Sequence, residues 1–389
     1  MSEKFDRRFL RRLVPILLSS LLLLSIGLSM GLLIYSDSLT NWSGGDPKTL
    51  WNWMELLIIP STLAVVAILF NISERRNDRE IADRRADTDR EISSMHAQEA
   101  AFQIYLDQMT ELLINESLRT SESDSEVRSI ARTRTLTILR RLDGFHKGIL
   151  IRFLKESRLI QRRSPIVSLE GADLSGALLN NVSLAEIFLK RVNLEGANLI
   201  AVNLSDSDLG GSNIRGANLS GAHLSNTNLQ SVDFRSANLS CAILKSADMR
   251  QANLEKANLR KAFLGEADLS QSKLCGADLS SANLWKTNLN VAKLNGAELS
   301  HACLRGSMMA GVKLRQAVLV STELISVQLT GADLSNSNLT NAYLTGADLT
   351  RANLTGAQIA DKQLQKVKSL SATILPNGKS RPYDSNNGN

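Results

Sequence analysis

From Leu169 to Leu364 an apolar residue falls on every fifth position, forty times without an insertion. Thirty-five of the forty are Leu, and the exceptions are Ile214, Phe234, Met249, Met309 and Ile359. Two residues before each stands Ala, Ser, Thr or Val, except at Ile187 and Lys362. Period five suits neither regular element. Five residues of α-helix advance about 500°, so the Leu would wander around the cylinder. An odd step along a flat strand sends alternate side chains to opposite faces. A chain that returns every fifth residue to one axis must turn in each unit, which makes a mainly β fold, a solenoid of coils stacked at about 4.8 Å.

Units such as Ala252-Asn253-Leu254-Glu255-Lys256 and Ala347-Asp348-Leu349-Thr350-Arg351 resemble the pentapeptide-repeat family, whose pattern is A(D/N)LXX. The resemblance covers half the chain. It implies a right-handed quadrilateral β-helix with four units per coil, the central Leu and the small residue two before it pointing inward. On that analogy the repeats make about ten coils, a rod roughly 48 Å long. Its core is solid, with no lumen for a ligand.

Charge is unevenly shared. Residues 169–364 carry 17 Lys+Arg and 17 Asp+Glu, so the excess of +6 lies before and after them. Cys241, Cys275 and Cys303 show no CxxC spacing and fall on surface positions of the repeat, as incidental thiols. His96, His146, His223 and His301 form no HExxH, and neither GxxxxGK(S/T) nor GxGxxG after a strand occurs. Ser and Asp recur as scaffold. No enzyme activity, cofactor or metal is expected.

Residues 1–12 carry five Lys and Arg. Residues 13–34 are then 22 residues without a charge, long enough for a transmembrane helix. The basic flank also suits a secretory signal peptide; the length and a second apolar segment favour a retained anchor. That second segment, 50–70, contains Pro60, with Glu55 near its outer end. Tyr35, Trp42, Trp51 and Trp53 lie where an aromatic belt would be. Basic residues flank the pair, while the loop 35–49 has Lys48 alone. A transmembrane hairpin with both termini in the cytoplasm is therefore expected, in a bacterial inner or thylakoid membrane. Residues 71–91 read as a solvated helical stalk laced by opposite-sign pairs such as Glu80–Arg84; acids among the Arg speak against nucleic acid. Residues 92–163 read as a small helical domain, along which the chain has the means to self-associate as a homo-oligomer. Tyr105-Leu106-Asp107-Gln108-Met109 and Leu139-Arg140-Arg141-Leu142-Asp143-Gly144 resemble a helical region found before the repeats in some cyanobacterial membrane proteins of the family. The solenoid spans 164–364, a C-terminal cap 365–378 covers its open edge, and 379–389 read as a disordered tail.

With twenty residues per coil, residues twenty apart stack. Asn198, Asn218, Asn238 and Asn258 form an amide ladder; Glu195, Arg215, Arg235 and Glu255 form a mixed-charge row of little energetic weight. Lys273, Lys293 and Lys313 stack as like charges, which costs stability and marks an anion or partner contact. His223, Ile243, Phe263, Asn283, Cys303, Glu323 and Tyr343 make a further row, where Ile243 and Phe263 are an apolar patch on adjacent coils. Trp285 is expected to project elsewhere. The function expected is a membrane-anchored, non-enzymatic scaffold held by the lipid bilayer and presenting the β-helix to a protein partner. The alternatives are a DNA-mimic topoisomerase modulator, disfavoured by the neutral repeats, and a channel or transport subunit, for which no filter or pore ring is seen.

Overall fold

The computed structural model describes residues 48–382, and side chains from residue 63 onward save those at 76 and 79. The expected segments 1–12 and 13–34, nearly all of the loop 35–49 and the tail beyond 382 lie outside the described residues. The helices are α1 (Lys48–Ile114), α2 (Glu126–Leu139), α3 (Gly144–Glu156) and α4 (Asp361–Leu364). The chain divides into two compact units, Met1–Asp89 and Arg90–Asn389.

In the first unit, α1 carries exposed apolar side chains from Leu63 to Ile72 and then charged ones, with Arg84 on Glu80 at 2.7 Å. Among the described residues no helix is long and apolar enough to cross a membrane. This overturns the expected hairpin and, with it, the integral-membrane localisation with cytoplasmic termini. The physical reason is the brevity of the described apolar side chains. They give way to Ser73, Glu74 and Arg75 within about ten residues, against the roughly 20 that a span needs.

In the second unit the repeats wind with a twenty-residue register. Parallel bridges join Asp173 to Asn193, Asn193 to Asn213, and so on around every unit. The pairing runs through single bridges separated by turns, so no extended strand forms among the described residues. Around Leu199 the bonds are typical. Leu199 N–H donates to Asn218 O at 2.8 Å, Asn218 N–H to Ala197 O at 3.0 Å, and Ala201 N–H to Ser220 O at 2.9 Å. The turn closes within the unit, Val202 N–H donating to Leu199 O at 3.1 Å. The residue two after each central one has positive φ from Gly171 to Gly356, which favours Gly, Asn and Ser there; Val291, at φ 61°, is the β-branched exception.

The central residues from Leu169 to Leu354 are buried, Phe234 and both Met included. Where the small inward residue is Ser or Thr, its hydroxyl donates to a carbonyl of the coil: Ser207 to Leu184, Ser212 to Leu189, Thr287 to Leu264 and Thr322 to Leu299. Burial without such partners would cost about 1–3 kcal/mol each. The fortieth apolar residue, Leu364, lies in α4 rather than in a coil.

A coil without a predecessor leaves donors and acceptors unmet, and the helical region meets them. Leu178 N–H donates to Gly144 O at 2.8 Å and Phe188 N–H to Ile160 O at 2.8 Å. Side chains serve the first carbonyls: Arg132 donates to Glu170 O at 2.9 Å, Lys147 to Ser175 O at 3.0 Å, and Lys155 to Ala185 O. Asp143 caps α3 by accepting from His146 N–H, and the His146 ring bridges Asp143 and Glu99, each at 2.9 Å. Burial alone would lower the His146 pKa, but those two carboxylates hold it above its ordinary value. At the other end, Gln363 donates to Leu339 O and Ala342 O, both at 2.8 Å. The chain then re-enters the stack one residue out of step, Asn353 bridging Ile374, and turns back so that Ser380 bridges Ile374.

Helix α3 approaches the first coil backbone to backbone. A Cβ at Gly148 would come far closer to the Leu178 carbonyl oxygen than van der Waals contact allows. Gly148→Ala should therefore destabilise the chain by about 2 kcal/mol, read as a lower urea midpoint with faster amide exchange at Leu178. An unchanged midpoint would contradict this docking.

Candidate functional site

Each unit directs three side chains outward: the residue before the central one, the residue after it, and the positive-φ corner residue that follows. Asn and Asp dominate the first position for a local reason. Their Oδ1 accepts the backbone N–H two residues on, as Asn238 does from Ser240 at 3.2 Å and Asp268 from Ser270 at 2.9 Å. The Asn amide also reaches the preceding coil: Asn238 donates to Asn218 at 3.0 Å and Asn258 to Asn238 at 3.2 Å. A Lys, Ile or Phe at this position gives up both bonds, whereas Glu298 keeps one, accepting from Ser300 N–H at 2.9 Å. Such departures are where the surface is released from the needs of the fold.

The structure brings the Lys row together. Lys273 bridges Lys293 and Lys293 bridges Lys313, all three exposed, with Asp333 on the next coil. None pairs with a carboxylate among the described residues, whereas Arg235, Arg250, Arg260 and Arg315 pair with Asp233, Asp248, Asp278 and Asp333. Those Arg hold their carboxylates low in pKa. Hydrogen bonding from Arg235 leads at Asp233; at Asp333, burial is outweighed by the bonds from Arg315 and Ser335.

Ile243 and Phe263 bridge each other, Ile243 half-buried and Phe263 53% exposed. Trp285 does not project elsewhere as expected. Its ring lies near Gly265, 3.8 Å from where a Cβ would stand, on the face that carries Phe263. Lys286 Nζ sits 4.5 Å from the ring centroid, a cation–π contact. The signal was present: Trp285 follows Asn283 by two, so both are outward residues of one unit. Cys303 stands in the same row, and burial pushes its thiol pKa up, away from reactivity. Among the described residues no cluster of His, Cys, Asp and Glu is placed to hold a metal ion.

The family of pentapeptide repeats matches repeatedly, over residues 168–211, 217–255, 237–276, 252–284, 272–309, 309–341 and 322–361. Among solved structures, HetL is a pentapeptide repeat protein involved in heterocyst differentiation regulation from the cyanobacterium Nostoc. It is 30% identical over 59% of this chain and 98% of its own, at TM-score 0.37. QnrB1, a plasmid-mediated fluoroquinolone resistance protein, is 19% identical over 48% of this chain and 91% of its own, at TM-score 0.40. A pentapeptide repeat protein from the Arabidopsis thaliana thylakoid lumen is 27% identical over 42% and 84%, at TM-score 0.18. No curated protein matches the chain.

Replacing the middle lysine by the residue the scaffold prefers should relieve the row. Lys293→Asn is expected to stabilise by about 0.5 kcal/mol, and added salt should help the variant less than the parent. Equal midpoints at low salt would show that the lysines splay apart without repulsion.

Proposed function

The chain belongs to the pentapeptide repeat family, and from that premise we propose that it is a non-enzymatic scaffold whose coils present outward faces to a protein partner. The right-handed, four-sided coil is the form in which we propose the scaffold is built. One observation carries the reading. Inward positions are consumed by the core, while Ile243, Phe263, Lys273, Lys293 and Lys313 give up the Asn/Asp bonds that would serve the fold. Residues that give up those bonds and stand exposed or half-buried in rows are what an interaction surface requires. Mimicry of nucleic acid would need a continuous acidic face, and the three unpaired lysines stand in the way.

Photo-crosslinkers placed singly at Phe263, Lys293 and, as a control, Asn238 test this in the full chain expressed in cells. A discrete protein should be captured at one or both of the first two positions and not at Asn238. The same faint pattern at all three would contradict a partner-specific surface.

A further inference from the structure

The exposed aromatic residues of the repeats share one face. Residues 169–364 contain five aromatics: Phe188, Phe234, Phe263, Trp285 and Tyr343. Phe234 is in the core and Phe188 lies in the first coil beneath the helical region, its N–H taken by Ile160. The other three are 53%, 40% and 57% exposed. Phe263 and Tyr343 belong to the row that bridges Ile243, Phe263, Asn283, Cys303, Glu323 and Tyr343, and Trp285 stands beside it. Ile325, two residues past Glu323 in its unit, occupies the same column as Trp285 and is half-buried. Large, weakly hydrated side chains therefore form a stripe along the coil axis; the exposed Leu178, Val291 and Met308 lie in other columns and carry no aromatic ring.

The charge around the stripe is positive. Lys245 and Trp285 lie in one column, Lys261 and Lys286 at the corners on either side, and none of these lysines has a carboxylate partner among the described residues. Arg305 is held by Glu323 at 4.0 Å, and Glu266 accepts from Ser246 at 3.3 Å. From Ile243 to Tyr343 is five coil steps, roughly 24 Å, the length of about seven residues of extended chain.

We propose that this face binds an acidic, apolar segment of a partner protein, laid along the coil axis with its apolar side chains on Phe263, Trp285 and Tyr343 and its carboxylates at Lys245, Lys261 and Lys286. The inference rests on the scaffold reading and names the face and the chemistry of its ligand. Aromatic anchors flanked by cations are the composition of binding hot spots, and the cations meet carboxylates with complementary charge. Single-stranded nucleic acid would also stack on aromatics, but Glu266 and Glu323 stand within the stripe and oppose a continuous phosphate backbone. A peptide is free to place its charges at the lysines alone.

Fluorescence anisotropy with the purified full chain tests it, using three labelled probes: a ten-residue peptide alternating Glu with Leu and Phe, the same peptide with Lys for Glu, and a ten-nucleotide thymidine oligomer. The acidic peptide should bind at least tenfold more tightly than either other probe. Trp285→Ala should weaken it at least tenfold, as should Lys286→Glu, an exposed corner change that leaves the core alone. Arg215→Gln, an exposed charge change in the mixed-charge row on another face, should leave binding unchanged. Preference for the basic peptide or the oligomer, no binding of the acidic peptide, or indifference to both stripe variants would overturn the proposal. Crosslinking at Lys293 without any at Phe263 would remove this face and leave the scaffold reading standing.

Discussion

The inward Leu ladder and the backbone pairing across twenty residues are one constraint seen from two sides. A five-residue unit has no core of its own. Its central side chain is buried only because the units twenty before and after supply the walls, and its peptide groups are paired only because those units hold the same register. Leu199, for example, is buried while its N–H reaches Asn218 on the next coil at 2.8 Å. Shifting the register by one residue would turn a buried Leu outward and an Asn inward. The absence of any insertion across forty units follows from that coupling.

The same dependence makes the ends the weak points, and different chemistry solves each. At the start, the carbonyls of Gly144 and Ile160 and three cationic side chains replace the bonds of a missing coil. Lys147, with its side chain only 5% exposed, is tolerated because it meets Ser175 and Asp173; unpaired, such a charge would cost several kcal/mol. At the finish, Gln363 and the returning segment at Thr373 and Ile374 close the last coil, Thr373 donating to Leu349 O at 2.7 Å. Both devices cover edges that would otherwise template pairing with another chain.

The ladder was legible because its period excludes every other element, and the outward rows followed once twenty residues were assigned to a coil. The family resemblance supplied that number. Other features were hidden for physical reasons. Trp285 was hidden because it follows its central Leu284 and so stands outside the row of residues that precede theirs, although both positions share the face. Gly148 looked like an ordinary helix residue, since nothing local reveals that a carbonyl from Leu178 will press on it. Leu364 kept the repeat's spacing while folding as helix, because Lys362 had already removed the small inward partner. The membrane reading came from the length of the apolar segments and the placement of basic and aromatic residues, and the described part of α1 carries too short an apolar stretch to sustain it.

If the register and the two caps hold the repeats as one cooperative body, hydrogen exchange resolved along the full chain should show it. The bridging amides from Leu178 to Ile374 should exchange in one slow class, the first and last coils as protected as the middle. Protection that rises steadily from each end toward the centre would mean that the coils fray, and that neither the helical region nor the returning segment closes the stack.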